Sequence, residues 1–359
     1  MKIYIIKRIL LIFPTLFFIM LVNFAIIQAA PGGPVEQFLA KLNHESKVSG
    51  EVSSSNLINS KIITSTDGSQ KSYGAASVDP EIVAKIKKLY GFDLPFWPRF
   101  WLMLKKMLVF DFGESFYQDK KVVDLVLEKL PVSISLGFWT TLLVYLISIP
   151  LGIKKAIRDG SKFDVWSSFF VSFGHAIPGF LFAILLIILF AGGNFLAIFP
   201  MRGLVSANSA ELGFFAKIAD YFWHLTLPII AMTIGGFASL TFFVKNSFIE
   251  EINKQYVLTA YAKGLNDNKV LYGHIFRNAL MIIIAGIPSA FIGILFTGAM
   301  LIEIIFSLDG LGLLGYESAM SRDYPVMFAS LYFFTLMGLV VNIISDLTYK
   351  LVDPRVKFD

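Results

Sequence analysis

The chain has 359 residues and is unusually apolar: 56% of the residues are hydrophobic, 16% are charged and the mean hydropathy is +0.69. Soluble domains carry about a quarter charged residues, so this composition excludes the two soluble domains that the length alone would allow. The net charge of +5 is typical of orienting charges in membrane-protein loops rather than of nucleic-acid binding, and the absence of cysteine excludes a disulfide framework and a thiolate metal site.

Long apolar runs predict an all-α membrane protein. A bilayer core about 30 Å thick requires about 20 apolar residues per helix. Backbone groups in lipid must be satisfied within the protein, which leaves helices or a closed barrel, and continuous runs favour helices. We therefore predict six transmembrane helices, at residues 9–30, 131–153, 165–190, 223–244, 280–302 and 325–347.

The first run, residues 9–30, follows the basic start MKIYIIKR. Cleaved signal peptides and retained first spans share this pattern. The run is longer than a signal core, and Pro31 directly after Ala30 is unfavourable for cleavage. We therefore predict that residues 1–30 form a short cytoplasmic N-terminus and a retained first helix.

Residues 31–130 predict an extracytoplasmic insertion followed by an interfacial segment. Residues 43–77 show no apolar periodicity, which indicates a loop. Residues 79–91 begin with Asp-Pro and end with Gly, a pattern typical of a short capped helix. Residues 96–110 are aromatic but contain three basic side chains, each costing about 2.5–3.5 kcal/mol at the centre of a membrane helix, so we place them at the membrane surface.

The distribution of basic residues predicts the orientation. Fifteen lie in segments on the same side as both termini, and three lie in the two short loops opposite. Because cytoplasmic loops carry the excess of Lys and Arg, we predict that both termini, residues 245–279 and the tail 351–359 are cytoplasmic, around a five-helix core within 131–350. The fifteen are Lys2, Lys7, Arg8, Lys154, Lys155, Arg158, Lys162, Lys245, Lys254, Lys263, Lys269, Arg277, Lys350, Arg355 and Lys357, and the three are Arg202, Lys217 and Arg322.

No motif for catalysis or cofactor binding lies in the structural context that its chemistry requires. The chain lacks a phosphate-binding G-x-x-x-x-G-K-[ST] loop, so nucleotide chemistry belongs to another subunit. Gly310-x-Gly312-x-x-Gly315 matches a dinucleotide fingerprint by letters, but a membrane helix precedes it instead of a strand, which favours a tight turn. The histidines His44, His175, His224 and His274 show no metal-ligand spacing. We predict no catalytic residue, cofactor or metal on this chain.

The polar, basic segment 245–279 lies between the fourth and fifth predicted spans, so the bilayer fixes both of its ends. Residues 256–263 predict a short helix that Gly264 can end in a left-handed cap. Asn266 and Asp267 can begin a second helix whose apolar face is Val270, Leu271 and Ile275. From physics alone this is either a hairpin lying on the membrane or a docking element for a partner.

The stretch TAYAKGLNDNKVLYGHIFRNAL, residues 259–280, resembles the cytoplasmic loop of the peptide-type permeases of ABC importers. The general form of that loop is Glu-Ala-Ala followed by three residues and Gly. Here Leu258, Thr259 and Ala260 hold the first three positions and Gly264 holds the last. The glutamate is missing, and residues 276–278, Phe-Arg-Asn, replace the terminal Leu-Pro.

The resemblance extends over nearly the whole chain except about 43–78. FDFGESF (110–116), the segment 302–326 and the ending DPRVKF (353–358) also match, as do FAIIQAAPGGPVE at 24–36 and the stretches at 130–152 and 175–191. The long insertion after the first span is similar to the Yej type of these permeases, whose substrates are peptides and microcin C.

The resemblance implies a type I importer permease with six spans that is not itself an enzyme. With a second homologous permease it would line a path for oligopeptides through a bacterial inner membrane. Its partners would be a periplasmic binding protein and an ABC ATPase that holds ATP and Mg²⁺. The residues implied for ATPase coupling are Thr259, Ala260, Ala262, Lys263, Gly264, Arg277 and Asn278, and those that would meet the binding protein are Asp309, Gly310, Arg322 and Asp323.

Other functions remain open at this point. A related permease could carry a non-peptide solute such as nickel. An ungated channel or ion-coupled carrier would show charges deep in the spans or broken repeat helices, and neither is evident in the sequence. An intramembrane hydrolase stays possible because spatial neighbours cannot be read from sequence. Pro178, Pro228 and Pro288 mark expected bending points of the third, fourth and fifth spans.

Overall fold

The computed structural model describes residues 2–29, 94–118, 120–192, 195–293 and 300–352. Within these ranges the chain is helical, and its one β-type contact is an isolated bridge between Glu114 and Lys121. The loop expected at 43–77, the helix expected at 79–91 and the tail from 353 lie outside the described residues.

The α-helices of the described ranges follow in chain order. They are α1 (Lys2–Ala29), α2 (Phe96–Leu108), α3 (Val122–Ile157), α4 (Lys162–Ala176), α5 (Gly179–Phe190), α6 (Phe214–Ile252), α7 (Gln255–Ala262), α8 (Asp267–Val270), α9 (Phe276–Ala285), α10 (Ile287–Gly293), α11 (Met300–Ile305), α12 (Leu311–Ser321) and α13 (Tyr324–Val352).

Five helical stretches of the described chain are long and apolar enough to cross a membrane: Ile3–Gln28, Val122–Ile157, Phe214–Ile252, Asp267–Gly293 and Tyr324–Thr348. The pair α4 and α5 passes the same test together and gives the sixth candidate. The all-α membrane architecture is therefore confirmed, and the described helices give five spans, or six where α4 and α5 count as one.

The third span, expected at 165–190 with a bend at Pro178, is broken completely into two helices. Helices α4 and α5 meet at an angle of 92° across Ile177 and Pro178. Proline lacks a backbone N–H and disfavours helical geometry in the preceding residue, and Ile177 is extended with φ −83° and ψ 120°. Pro228, in contrast, lies inside an unbroken α6. The fifth span is interrupted at Gly286, two residues before Pro288.

The described residues fall into two compact units. The first contains Met1–Phe13, Asp124–Glu317 and Phe333–Asp359, and the second contains Pro14–Val123 and Ser318–Tyr332. In the first unit, α3 and α6 approach so closely that a Cβ built at Gly152 would lie 2.6 Å from Cβ of Val244. Only glycine at position 152 permits this contact.

The second unit is built around the ring of Phe24 on α1. Its centroid lies 5.1 Å from that of Phe96 and 5.5 Å from that of Phe100, and the guanidinium of Arg99 lies 5.7 Å from the same centroid. Burial lowers the pKa of Arg99 to about 10. α2 is therefore a helix with one buried face, and its place at a membrane surface stays a prediction.

Candidate functional site

Helices α7 and α8 form a hairpin, residues 253–278, between the fourth and fifth spans. α7 ends as expected from the sequence: Gly264 has φ +79°, its N–H donates to the carbonyl of Tyr261 at 2.9 Å, and Leu265 N–H donates to the carbonyl of Ala260 at 3.3 Å. Glycine populates this left-handed conformation without steric cost. Nothing lies within 4 Å of the position where a Cβ would be.

The second helix of the hairpin also begins as the sequence indicates. The side chain of Asn266 accepts a hydrogen bond from the N–H of Lys269 at 3.0 Å. Val270 and Ile275 are buried and Leu271 is half-buried, so the expected apolar face is confirmed. A π-helical turn, Leu271–Ile275, joins α8 to α9. Nothing in the residue pattern indicated this turn, which widens the helix by one residue.

The hairpin packs firmly onto the ends of the spans. Val257, Ala260 and Val270 form one buried apolar cluster with Ile153 of α3 and Phe248 of α6. Ser247 donates a hydrogen bond to the carbonyl of Ala279 at 2.9 Å. A displacement of the hairpin therefore meets close-packed side chains of α3 and α6 rather than a flexible tether.

The first turn of the hairpin is held by a carboxylate. Tyr256 donates its hydroxyl proton to Glu251 Oε2 at 2.7 Å, and Lys254 forms an ion pair with the same carboxylate. Burial, with a contribution from the Glu251 hydrogen bond, raises the pKa of Tyr256. The hydrogen bond with Glu251 raises the pKa of Lys254, so both groups keep their protons at neutral pH.

The structure divides the seven residues expected to couple to an ATPase. Thr259, Ala262, Lys263, Gly264 and Arg277 are exposed, and Asn278 is half-buried beside the hydroxyl of Tyr256. Ala260 is 5% exposed and packs inside the chain's own core. A larger residue at 260 would first disturb the hairpin itself.

Three exposed apolar side chains of the hairpin escaped the sequence analysis. Leu258 is 67% exposed, Tyr272 60% and Tyr261 45%. Leu258 and Tyr261 lie three residues apart on α7, beside the stripe formed by the buried Val257 and Ala260, so the helical period of α7 contains the signal. Lys263 and Arg277 of the same hairpin are exposed as well, so its exposed residues are both apolar and basic.

The buried carboxylate of Glu303 adjoins Gly310, one of the residues expected to contact a binding protein. This side chain is fully buried and accepts hydrogen bonds from Leu313 N–H at 2.7 Å and from the hydroxyl of Ser133 at 3.0 Å. A Cβ at Gly310 would lie 2.2 Å from Glu303 Oε1, and one at Gly312 3.0 Å from Oε2. The glycines of the apparent dinucleotide fingerprint therefore make room for a carboxylate of this chain.

The four residues expected to contact a binding protein differ in exposure. Asp309 is 64% exposed at its side chain and forms an ion pair with the buried Lys129. Gly310 is buried. In the other unit, Arg322 is half-buried with φ 56°, and Asp323 is buried and accepts a hydrogen bond from Ser115. Gly310 and the side chain of Asp323 therefore do not form part of the surface.

A cavity of about 490 Å³ in the first unit adjoins the break in the third span. Gly179 from that break, Ala231 and Gly235 of α6 and Gly293 of α10 contribute to its lining, so it is bordered largely by small residues. His175 places Nδ1 3.3 Å from the carbonyl oxygen of Gly235.

These features belong together in a known class of membrane protein. Residues 148–358, from the middle of α3 to the tail, match the family described as binding-protein-dependent transport system inner membrane component. The chain belongs to this family. It is a multi-pass inner-membrane permease subunit of an ABC transporter, a class that works with ATPase and substrate-binding proteins.

Full-length relatives support the same family. The permease is 52% identical over 361 residues to the inner membrane ABC transporter permease protein YejB of Escherichia coli O157:H7, with 99% of each chain covered. It is 54% identical to the peptidoglycan transport system permease protein YejB of Agrobacterium fabrum, covering 99% of this chain and 98% of the relative. It is 33% identical to the oligopeptide transport system permease protein AppB of Bacillus subtilis over the full length of both.

A solved structure supports the fold alone. The inward-facing MetNI methionine ABC transporter gives a TM-score of 0.50 at 16% identity, covering 64% of this permease and 97% of that chain. The resemblance to the peptide-type permeases of ABC importers, which the residues of the hairpin first indicated, is thus confirmed.

Proposed function

We propose that the permease carries oligopeptides from the periplasm to the cytoplasm and receives the work of ATP hydrolysis through hairpin 253–278. In this proposal both termini and the hairpin lie in the cytoplasm. A second homologous permease completes the path, a periplasmic binding protein delivers the peptide, and ATP and Mg²⁺ are held by the ATPase partner.

The observation that carries the proposal is the construction of the hairpin. Its buried face, including Val257 and Val270, is fixed to the ends of α3 and α6, and its exposed surface includes Leu258, Tyr261 and Tyr272. Aromatic and aliphatic anchors with a polar rim are typical of protein interfaces. A partner that binds the exposed surface of the hairpin can therefore move α3 and α6.

The relatives favour peptides as the solute. An oligopeptide permease matches over the full length, which favours a peptide over a metal such as nickel. The Agrobacterium relative is named for peptidoglycan transport and is 54% identical, so peptidoglycan fragments, which contain short peptides, are the second candidate. Membership of the permease family argues against the channel, carrier and hydrolase alternatives.

Reconstituted transport tests the docking. The complete complex is assembled in proteoliposomes, and ATP hydrolysis is measured with and without peptide-loaded binding protein. Ala262→Trp adds a bulky side chain to the exposed face of α7, and we expect it to abolish stimulation. Ala210→Trp, also exposed but in the loop before α6, is the control and should retain it. Normal stimulation in Ala262→Trp contradicts the proposal.

Substrate class is measured in the same vesicles. We expect ATP-dependent accumulation of labelled oligopeptides in the wild type, with unlabelled peptide as competitor. Accumulation of peptidoglycan-derived peptides alone would support the second candidate. Uptake of nickel without peptide uptake would refute both.

A further inference from the structure

A buried charge cluster joins the ends of α3 and α6 to the start of α4. The ammonium group of Lys155, at the end of α3, is 3.1 Å from Asp164 Oδ1 on α4, 3.0 Å from the hydroxyl of Ser167 and 2.6 Å from that of Ser168. Lys245 on α6 places its own ammonium group 2.7 Å from Asp164 Oδ2 and 2.7 Å from Asp159 Oδ1. One carboxylate therefore bridges lysines from two helices.

Burial separates this cluster from ordinary orienting charges. Lys155 has no exposed surface and Asp164 is 5% exposed, whereas the neighbouring Lys154, Arg158 and Lys162 are all exposed. The exposed cations are sufficient to orient the loop. An ammonium group withdrawn from water is costly unless its donors are all paired, and the cluster meets that condition for Lys155.

The same helix ends support the hairpin. Val244, directly before Lys245, is fully buried in the apolar cluster that holds Val257 and Val270. Ala156, directly after Lys155, belongs to that cluster too. The hairpin, the end of α3, the start of α4 and the base of α6 are thus joined by one apolar and one ionic contact set.

We propose that Lys155, Asp164 and Lys245 are positioning residues that fix the start of α4 to the hairpin. Movement of the hairpin is then delivered to the third span, up to its break at Ile177 and Pro178, as well as to α6 and α9. The inference rests on the proposed docking of an ATPase on the hairpin. In this proposal the third span moves with the helices that respond to ATP binding and hydrolysis. Its break adjoins the cavity beside Gly179.

Removal of the bridging carboxylate should release α4. Asp164→Asn leaves two cationic lysines in contact with a neutral amide, so their mutual repulsion is no longer balanced. The control is Glu250→Gln, which removes a carboxylate from the same end of α6 whose side chain is 77% exposed and pairs with Lys254 only at 3.5 Å.

Distances between spin labels provide a readout that general loss of stability would not reproduce. The chain has no cysteine, so single cysteines at the exposed Lys162 on α4 and Asn268 on α8 can be labelled selectively. Pulsed electron paramagnetic resonance is recorded on the assembled complex in nanodiscs, without nucleotide and with ATP trapped. In wild type and Glu250→Gln we expect the distance to change by less than about 2 Å, the scale of helix shifts at packed interfaces.

In Asp164→Asn the distance should differ between the two nucleotide states, and peptide transported per ATP hydrolysed should fall about fivefold or more, the lower end of typical coupling between sites. Where Asp164→Asn fails to assemble, Lys245→Gln replaces it. A wild-type distance that shifts by several ångströms, or an unchanged distance in the variants, overturns the proposal. Co-purification of the ATPase with the wild type is scored separately, so a failure of hairpin docking is distinguishable from a failure of this link.

Discussion

The carboxylate of Glu303 occupies the space that a side chain at Gly310 would need, since a Cβ there would lie 2.2 Å from Oε1. Glu303 is fully buried on α11, and Gly310 directly precedes α12. The carboxylate therefore requires glycine at position 310, and it holds the loop between α11 and α12 against α11.

Gly310→Ala should destabilise the permease by about 1–3 kcal/mol, because an added methyl group in a packed site forces its neighbours to move. Thermal unfolding in detergent, followed by size-exclusion chromatography, measures the change. Gly213→Ala is the matched control, since nothing lies within 4 Å of a Cβ at that position and its φ of −66° suits any residue. Equal unfolding temperatures for the two variants would refute the clash.

Ser133 connects the same loop to α3. Its hydroxyl donates to Glu303 at 3.0 Å and accepts from the N–H of Leu311 at 2.8 Å. Ser133→Ala removes both bonds and leaves a buried N–H without that partner, so we expect a loss of about 1–3 kcal/mol. The same unfolding assay checks it, with Ser209→Ala in the loop before α6 as control. Combination with Gly310→Ala should be less than additive, because both variants disturb one carboxylate.

Gly264 has a different reason to be glycine. Its φ of +79° is unfavourable for other residues, but a Cβ there would meet nothing. Gly264→Ala should therefore loosen the end of α7 by about 1–2 kcal/mol through backbone strain, and Gly264→Asn should do so less, because Asn tolerates the left-handed region. Hydrogen exchange of residues 255–265 measures the difference. Faster exchange in Gly264→Asn than in Gly264→Ala would argue against strain as the cause.

A bulky side chain at Gly264 would have two effects. Gly264→Trp should leave the protein inserted in the membrane and abolish substrate-stimulated ATP hydrolysis. It combines backbone strain with obstruction of the exposed face. Ala262→Trp adds the obstruction without the strain, since Ala262 lies in regular helix. Stimulation retained in both variants would refute docking at this face.

Local chemistry explains which parts of the hairpin the sequence predicted. The cap at Gly264 and the start at Asn266 depend on neighbouring residues, and the face containing Val270 follows from helical periodicity. The burial of Lys155 could not be predicted, because its partner Asp164 lies on the next helix and its charge also fits an orienting role. The hydrogen bond of Ser115 with Asp323 joins residues 208 apart in sequence, which no local pattern records.

The third span shows the same limit. Pro178 predicted a bend, but a proline inside a long apolar run is compatible with a mild kink or with a full break. Pro228, in an equally apolar run, lies within an unbroken α6. No broken helix was evident from the sequence, and the 92° angle between α4 and α5 shows that this expectation was wrong. Packing against the rest of the protein decides between these outcomes.

Substitutions at Ala260 and Ala262 distinguish a defect in packing within the chain from a defect in docking of the partner. The two alanines lie two residues apart on α7, yet Ala260 is 5% exposed in the cluster with Val257 and Phe248, whereas Ala262 is exposed. Ala260→Trp inserts a large ring into a filled core and should cost about 3 kcal/mol or more by overpacking. We expect faster hydrogen exchange throughout 255–275, a lower unfolding temperature and loss of stimulated ATP hydrolysis as a consequence.

Ala262→Trp should lose the stimulation of ATP hydrolysis but keep the hydrogen exchange and unfolding temperature of the wild type, because only the surface that the partner binds is obstructed. If Ala260→Trp kept both properties of the wild type, the assigned burial would be wrong; if Ala262→Trp unfolded as readily as Ala260→Trp, its loss of stimulation would no longer indicate docking.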